Sequence, residues 1–165
     1  MFQMGAGGSV TTSDLSNAAA IHTWTSPLID VSAETAIFCP IVDPVNDIGI
    51  YRVNIVVSTA LSAHTGTIDI GHRAKASHDN ADDMVALDVD SIVDAESLNS
   101  GDWTDSAAGN FKTATLATTL DKKIQKTGGK PVVPAGSTIV ITPAGATQTG
   151  EVYVQIDYFR IEPGI

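Results

Sequence analysis

Val152, Val154, Ile156 and Tyr158 are interleaved with Glu151, Tyr153, Gln155 and Asp157 near the end of the chain. A period of two puts successive side chains on opposite sides of an extended backbone, so this stretch reads as a strand with one face buried and one wet. A second β-type run at 137–142 precedes it across Pro-Ala-Gly-Ala-Thr-Gln-Thr-Gly. Together the two runs predict a closing hairpin of an antiparallel sandwich or barrel.

Earlier segments repeat the pattern. In 48–59, Tyr51, Val53, Ile55 and Val57 fall on one face and Arg52, Asn54 and Ser58 on the other, which predicts a strand central in a sheet. In 65–72, Ile68 and Ile70 face inward, and 112–120 alternates through Ala114, Leu116, Thr118 and Leu120. Residues 122–127 carry that alternation up to the Gly128-Gly129 turn. Pro27 within 22–31 suits an edge or bulged strand, Pro40 stops a strand over 35–39, and Asp43-Pro44-Val45-Asn46-Asp47 is a turn. About eight strands with little room for crossover helices predict an all-β fold: an antiparallel β-sandwich with a long acidic insertion.

The 165 residues suffice for one domain with a real core. Residues 1–17, rich in Gly, Ser and Thr, are expected to be a flexible N-terminal arm, with a short helix starting at Ser13. Residues 18–165 form the sandwich, and 73–110 the acidic insertion. That insertion is expected to hold a strand near 84–88 and a short helix capped by Asp90 or Ser91 that runs to about Leu98.

Nine basic against 19 acidic residues give a net charge of -10, which repels phosphate backbones and argues against nucleic acid as a partner. No apolar run approaches the ~18 residues of a membrane span, so no membrane partner is expected. Residues 1–10 lack the basic start and apolar stretch of a secretory signal, which predicts a soluble protein made without such a signal, in the cytoplasm. Charge is also segregated. Asp79, Asp82, Asp83, Asp88, Asp90, Asp94, Glu96, Asp102 and Asp105 follow one another without a Lys or Arg, and Lys112, Lys122, Lys123, Lys126 and Lys130 come after.

Candidate chemistry was sought by spacing. The acids from Asp79 to Asp90 offer oxygen ligands for calcium, but Met84 stands at the sixth loop position, where an EF-hand needs Gly, and Asp90 at the twelfth, where it needs Glu. A solvated acidic loop accounts for them. His22, His64, His72 and His78 match no zinc pattern and read as polar loop or strand-face residues. Cys39, after Ile37 and Phe38, reads as a small core residue, and Gly5-Ala6-Gly7-Gly8 lacks the Lys-Ser/Thr end of a phosphate loop. Trp24 and Trp103 could stack on a sugar ring, although packing of Trp24 in the core or a subunit interface and loop anchoring by Trp103 explain them as well. The sequence therefore assigns no catalytic, cofactor-binding or metal-ligating residue.

Val-Asn-Ile-Val-Val-Ser followed by Thr-Ile-Asp-Ile-Gly-His, and Pro-Ala-Gly-Ser-Thr-Ile-Val-Ile-Thr followed by Gly-Glu-Val-Tyr-Val-Gln-Ile-Asp-Tyr-Phe, resemble virion proteins of tailed bacteriophages. The resemblance covers roughly residues 48–161. It implies a small jelly-roll capsid decoration or cement protein on the outer capsid surface, non-enzymatic, with the major capsid protein as partner and commonly a homotrimer. It transfers no interface residue, because 73–110 is where such proteins differ. A carbohydrate-binding jelly roll of a phage fibre or tail is the alternative.

Overall fold

Valine, isoleucine and threonine crowd the alternating runs, and their branched side chains pack better on a pleated surface than in a helix. The computed structural model describes residues 2–4, 8–10, 20–62, 66–73, 88–98, 108–117, 131–145 and 149–161, and among these the chain forms strands and no helix. The strands are β1 (Phe2–Met4), β2 (Gly8–Val10), β3 (His22–Thr25), β4 (Ile29–Asp30), β5 (Ile37–Ile41) and β6 (Asp47–Ser62). They continue as β7 (Thr67–Arg73), β8 (Asp88–Ser97), β9 (Phe111–Thr113), β10 (Val132–Val133), β11 (Thr138–Ala144) and β12 (Thr149–Ile161).

β1 and β2 pair only with each other, within the stretch expected to be an arm. The others form two antiparallel sheets. One has six strands, along the path β10-β6-β12-β3, with β4 beside β12 and β9 beside β6; the other runs β5-β11-β7-β8. Counting the eight path strands in chain order, the sheets read 1-8-3-6 and 2-7-4-5. This is the jelly-roll order of a β-sandwich. Among these eight strands only the β7 to β8 link stays within one sheet, and every other link crosses between them.

The expected closing hairpin is therefore corrected: β11 pairs with β5 and β7, whereas β12 pairs with β6, β3 and β4 in the facing sheet. Alternation says which side of a strand is buried and not which strand lies beside it. The expected helix over Asp90 to Leu98 is a strand instead. β8 follows β7 with two register breaks, between Ile68 and Ile70 and between Ile70 and His72, which blur its alternation. Pro40 lies inside β5 rather than ending it, as an edge strand permits. Of the 112–120 run the described residues are strand through Thr113 and irregular over 114–117; 118–120, the expected strand over 122–127, the Ser13 helix and most of 84–88 lie outside the described residues.

Between the sheets lie Ile48, Ile50, Val53, Ile55, Val57, Ile68, Ile70, Ile92, Ile139, Ile141, Val152, Val154 and Ile156, each at most 2% exposed. Each such burial stabilises the fold by about 1.5–3 kcal/mol before ordering costs. The flank beside β8 is tied across the two sheets. Beyond β9, Ala114 N–H donates to Val53 O of the six-stranded sheet and Ala117 N–H to Ile92 O of the four-stranded one. Lys112 Nζ and Glu96 Oε1, 2.7 Å apart, add an ion pair, and Glu96 Oε2 accepts the Thr115 N–H at 2.7 Å.

One end of the sandwich is closed by Asp43. Its Oδ1 accepts the N–H groups of Val45 and Asn46, and its Oδ2 accepts Arg160 Nε at 2.7 Å. Burial raises this carboxyl, but those bonds prevail and hold it at about 2. The expected turn over 43–47 is thus built on an Asx hydrogen bond.

Candidate functional surface: the outer face of the six-stranded sheet

β6 uses sixteen residues to run along thirteen of β12, and Tyr51, Ser58, Ala60 and Leu61 of β6 have no partner opposite them. One is Tyr51, because Asp157 pairs with Arg52 and Tyr158 with Ile50. That bulge reverses the phase of the strand: Ile48 and Ile50 point inward before it, and Val53, Ile55 and Val57 after it. Tyr51, expected in the core with Val53, is instead 47% exposed.

Directly opposed residues of antiparallel neighbours project to the same side, so the pairing registers give the outer face in rows. Phe111, Val56 and Tyr153 form one row; Thr113, Asn54, Gln155 and Thr25 the next; Arg52, Asp157 and Thr23 the third. Beyond the Tyr51 bulge Gly49 opposes Phe159, whose ring occupies the space a Cβ on Gly49 would take. Ile21, one residue outside the His22–Tyr158 pair, continues that row to the edge. Leu28, just before Ile29, extends the first row next to Tyr153.

The two middle rows are polar and internally bonded. Arg52 donates from Nε at 2.9 Å and Nη2 at 2.6 Å to Asp157 Oδ2, and the Thr23 hydroxyl donates to Oδ1 at 2.7 Å. Thr113 Oγ1 donates to Asn54 Oδ1 at 2.9 Å. Burial raises the Asp157 carboxyl, yet Thr23 and Arg52 outweigh it and hold it below its ordinary value. Beside the bulge, Tyr51, Arg52, Thr113, Ala114 and Leu116 line an open depression of about 440 Å³.

The other sheet's outer side has a different character. Asp69 of β7 projects away from the core between inward Ile68 and Ile70, and its Oδ1 accepts the Ala95 N–H at 2.6 Å. Burial raises the Asp69 carboxyl against that bond, and the charges of Asp90 and Asp94 add to the rise. Among the described residues, no group of three or more His, Cys, Asp or Glu side chains is placed to hold a metal ion. Asp79, Asp82 and Asp83 lie outside them, as do His64, His78 and Trp103.

The remaining candidates separate. Trp24 is partly buried and packs against the core, which removes it as a free sugar platform. Cys39 is 4% exposed in the core and its thiol is pushed up to about 11 by burial. His22 packs on Tyr158 with ring centroids 5.4 Å apart. His72 is fully buried, its Nδ1 bonded to Ser91 Oγ at 2.8 Å and its Nε2 without a protein partner. Sequence reasoning had put it on a loop or strand face, although it follows Ile68 and Ile70 at the same spacing of two. Arg52 and Asp157 were missed as a pair because 105 residues separate them.

The chain matches no protein-family model, no curated protein and no solved structure.

Proposed function

We propose that this chain is a non-enzymatic structural protein of a tailed-phage particle, a capsid decoration or cement protein. It binds the shell of major capsid protein from outside, self-associates, with a homotrimer expected, and stabilises the shell by bridging its subunits. The observation that carries this reading is the jelly-roll order of the two sheets, an architecture used by viral capsid and lectin domains. It is joined by the sequence resemblance of 48–161 to phage virion proteins. A wide sheet face whose polar side chains are already bonded to one another suits docking better than chemistry, since those groups bring no unpaired charge into a contact. Several weak contacts by linked copies add up through effective concentration.

Co-sedimentation with expanded capsids tests it. The full chain is expected to pellet with shells, and deletion of residues 1–17 to weaken that binding. No binding by the full chain, or equal binding without the arm, would count against it. The second reading, a carbohydrate-binding module of a fibre or tail, draws on the depression beside exposed Tyr51, where a ring and the fixed Arg52 adjoin. A glycan array on which a Tyr51→Ala variant binds as well as the parent chain would remove it.

A further inference from the structure

We infer that the outer face of the six-stranded sheet is where a second copy of this chain docks. The inference rests on the self-association part of the proposed function and makes the contact a two-fold one, face against face, in place of the expected homotrimer; it is independent of the capsid part.

Charge selects the face. With 19 acidic and 9 basic residues, two copies repel each other wherever their carboxylates are unbalanced. The four-stranded sheet presents Asp69, Asp90 and Asp94 close enough to raise the Asp69 carboxyl, so two such faces brought together would concentrate like charge. The middle of the six-stranded sheet is different, and the sheet's opposed carboxylates Glu151 and Asp30 stand only at one end, beyond Tyr153 and Leu28. Its Arg52 and Asp157 neutralise each other at 2.6 Å, and the adjoining row of Thr113, Asn54, Gln155 and Thr25 is uncharged.

Apolar surface borders those polar rows. Four of the exposed large hydrophobic side chains, Phe111 at 66%, Ile21 at 52%, Tyr51 at 47% and Leu28 at 42%, lie on this face or at its rim. Tyr153 and Phe159 stand between them on β12. Aromatic residues around a charge-depleted centre are the composition of protein interfaces, with Tyr and Arg the usual anchors. The Asp157, Thr23 and Asn54 bonds are formed within one chain, so covering them leaves no newly orphaned donor or acceptor.

The size is adequate. Six strands of 16, 13, 4, 3, 2 and 2 residues, at about 3.3 Å per residue and about 4.8 Å between strands, make a face of roughly 600 Å². Two such faces bury roughly 1,200 Å², the lower end for a stable specific interface.

Light scattering on the eluting full chain, over a hundredfold range of concentration and in low and high salt, reads the association directly. An oligomer is expected, tightened by salt, which screens the net charge. A Phe111→Asp and Ile21→Asp double variant changes only exposed side chains and should weaken association at least about tenfold while keeping the parent's circular dichroism, since losing a bound copy itself lowers the melting temperature. Val45→Asp, at a 74% exposed loop position away from the rows, should keep the parent mass. A parent chain monomeric throughout, or a double variant that keeps the parent mass, would overturn the inference. So would a Val45→Asp chain that falls to monomer. Capsid co-sedimentation on the same proteins separates the claims: a monomeric parent that binds shells through this face assigns it to the capsid protein, and an oligomer that binds no shell leaves the inference standing while the capsid reading fails.

Discussion

His72 occupies an inward position of β7 with no exposure, one bond to Ser91, and an unpartnered Nε2. Ser137 Oγ, also buried and unpartnered, lies on the next strand's side of the same sheet, two residues before the Ile139 that pairs with His72. Burial lowers the imidazole to about 4 from its ordinary 6.5. The unfolded chain therefore takes up a proton that the folded chain refuses as pH falls through 6.5. Stability from this group is complete above about pH 7 and is lost progressively down to about pH 4, by about 3 kcal/mol. Asp69, raised in the folded chain, opposes the loss at the acid end, whereas Asp43 and Asp157, held low, add to it only below their unfolded value near 3.8. Urea midpoints at pH 7 and pH 4.5 should differ accordingly, and His72→Phe should flatten the difference. A parent chain equally stable at both pH values would contradict this account of the buried imidazole. The position of His72 was legible from the two-residue spacing after Ile68. Its burial was not, because residue type argued for the surface and only Ser91, 19 residues away, supplies its bond.

At the level of the strands, Gly150 shows what bulges demand. It lies between Thr149 and Glu151, where the register to β6 breaks, with φ of 119°. A Cβ there would meet Ala60 O at 2.8 Å and Thr59 O at 2.9 Å, both backbone atoms that cannot swing aside. Gly150→Ala is expected to cost about 1–3 kcal/mol from the strained backbone conformation alone. A chemical-denaturation midpoint within error of the parent would show that the bulge relaxes. Strands with regular alternation, β6 over Val53 to Val57 and β12 over Val152 to Tyr158, were readable from the sequence. The breaks were not. The bulge at Tyr51 turns an apparent core tyrosine outward, and the two breaks in β8 hide a strand whose Ile92 and Val93 are buried, as is Leu98 just after it. Nor does alternation reveal that β11 and β12, separated by so short a link, belong to different sheets.

For the whole molecule, composition foretold an acidic protein but not how its charge is arranged. Thr23 and Asp157 are 134 residues apart, and Arg52 reaches the same carboxylate from β6. Only the jelly-roll order brings β3, β12 and β6 side by side, and with them the neutral rows of one face. The other face keeps Asp69 beside Asp90 and Asp94, whereas on the six-stranded face the opposed carboxylates of Glu151 and Asp30 stand at one end. Such a molecule is suited to lie with one side against protein and the other toward solvent. If it cements a shell, ligand linkage requires that it stabilise the assembled form over the dissociated one. The most direct measurement is calorimetric melting of expanded, undecorated capsids with and without a saturating amount of the full chain. A rise in the capsid transition temperature that saturates with added protein is the expected result. An unchanged transition at saturation would contradict the proposed role.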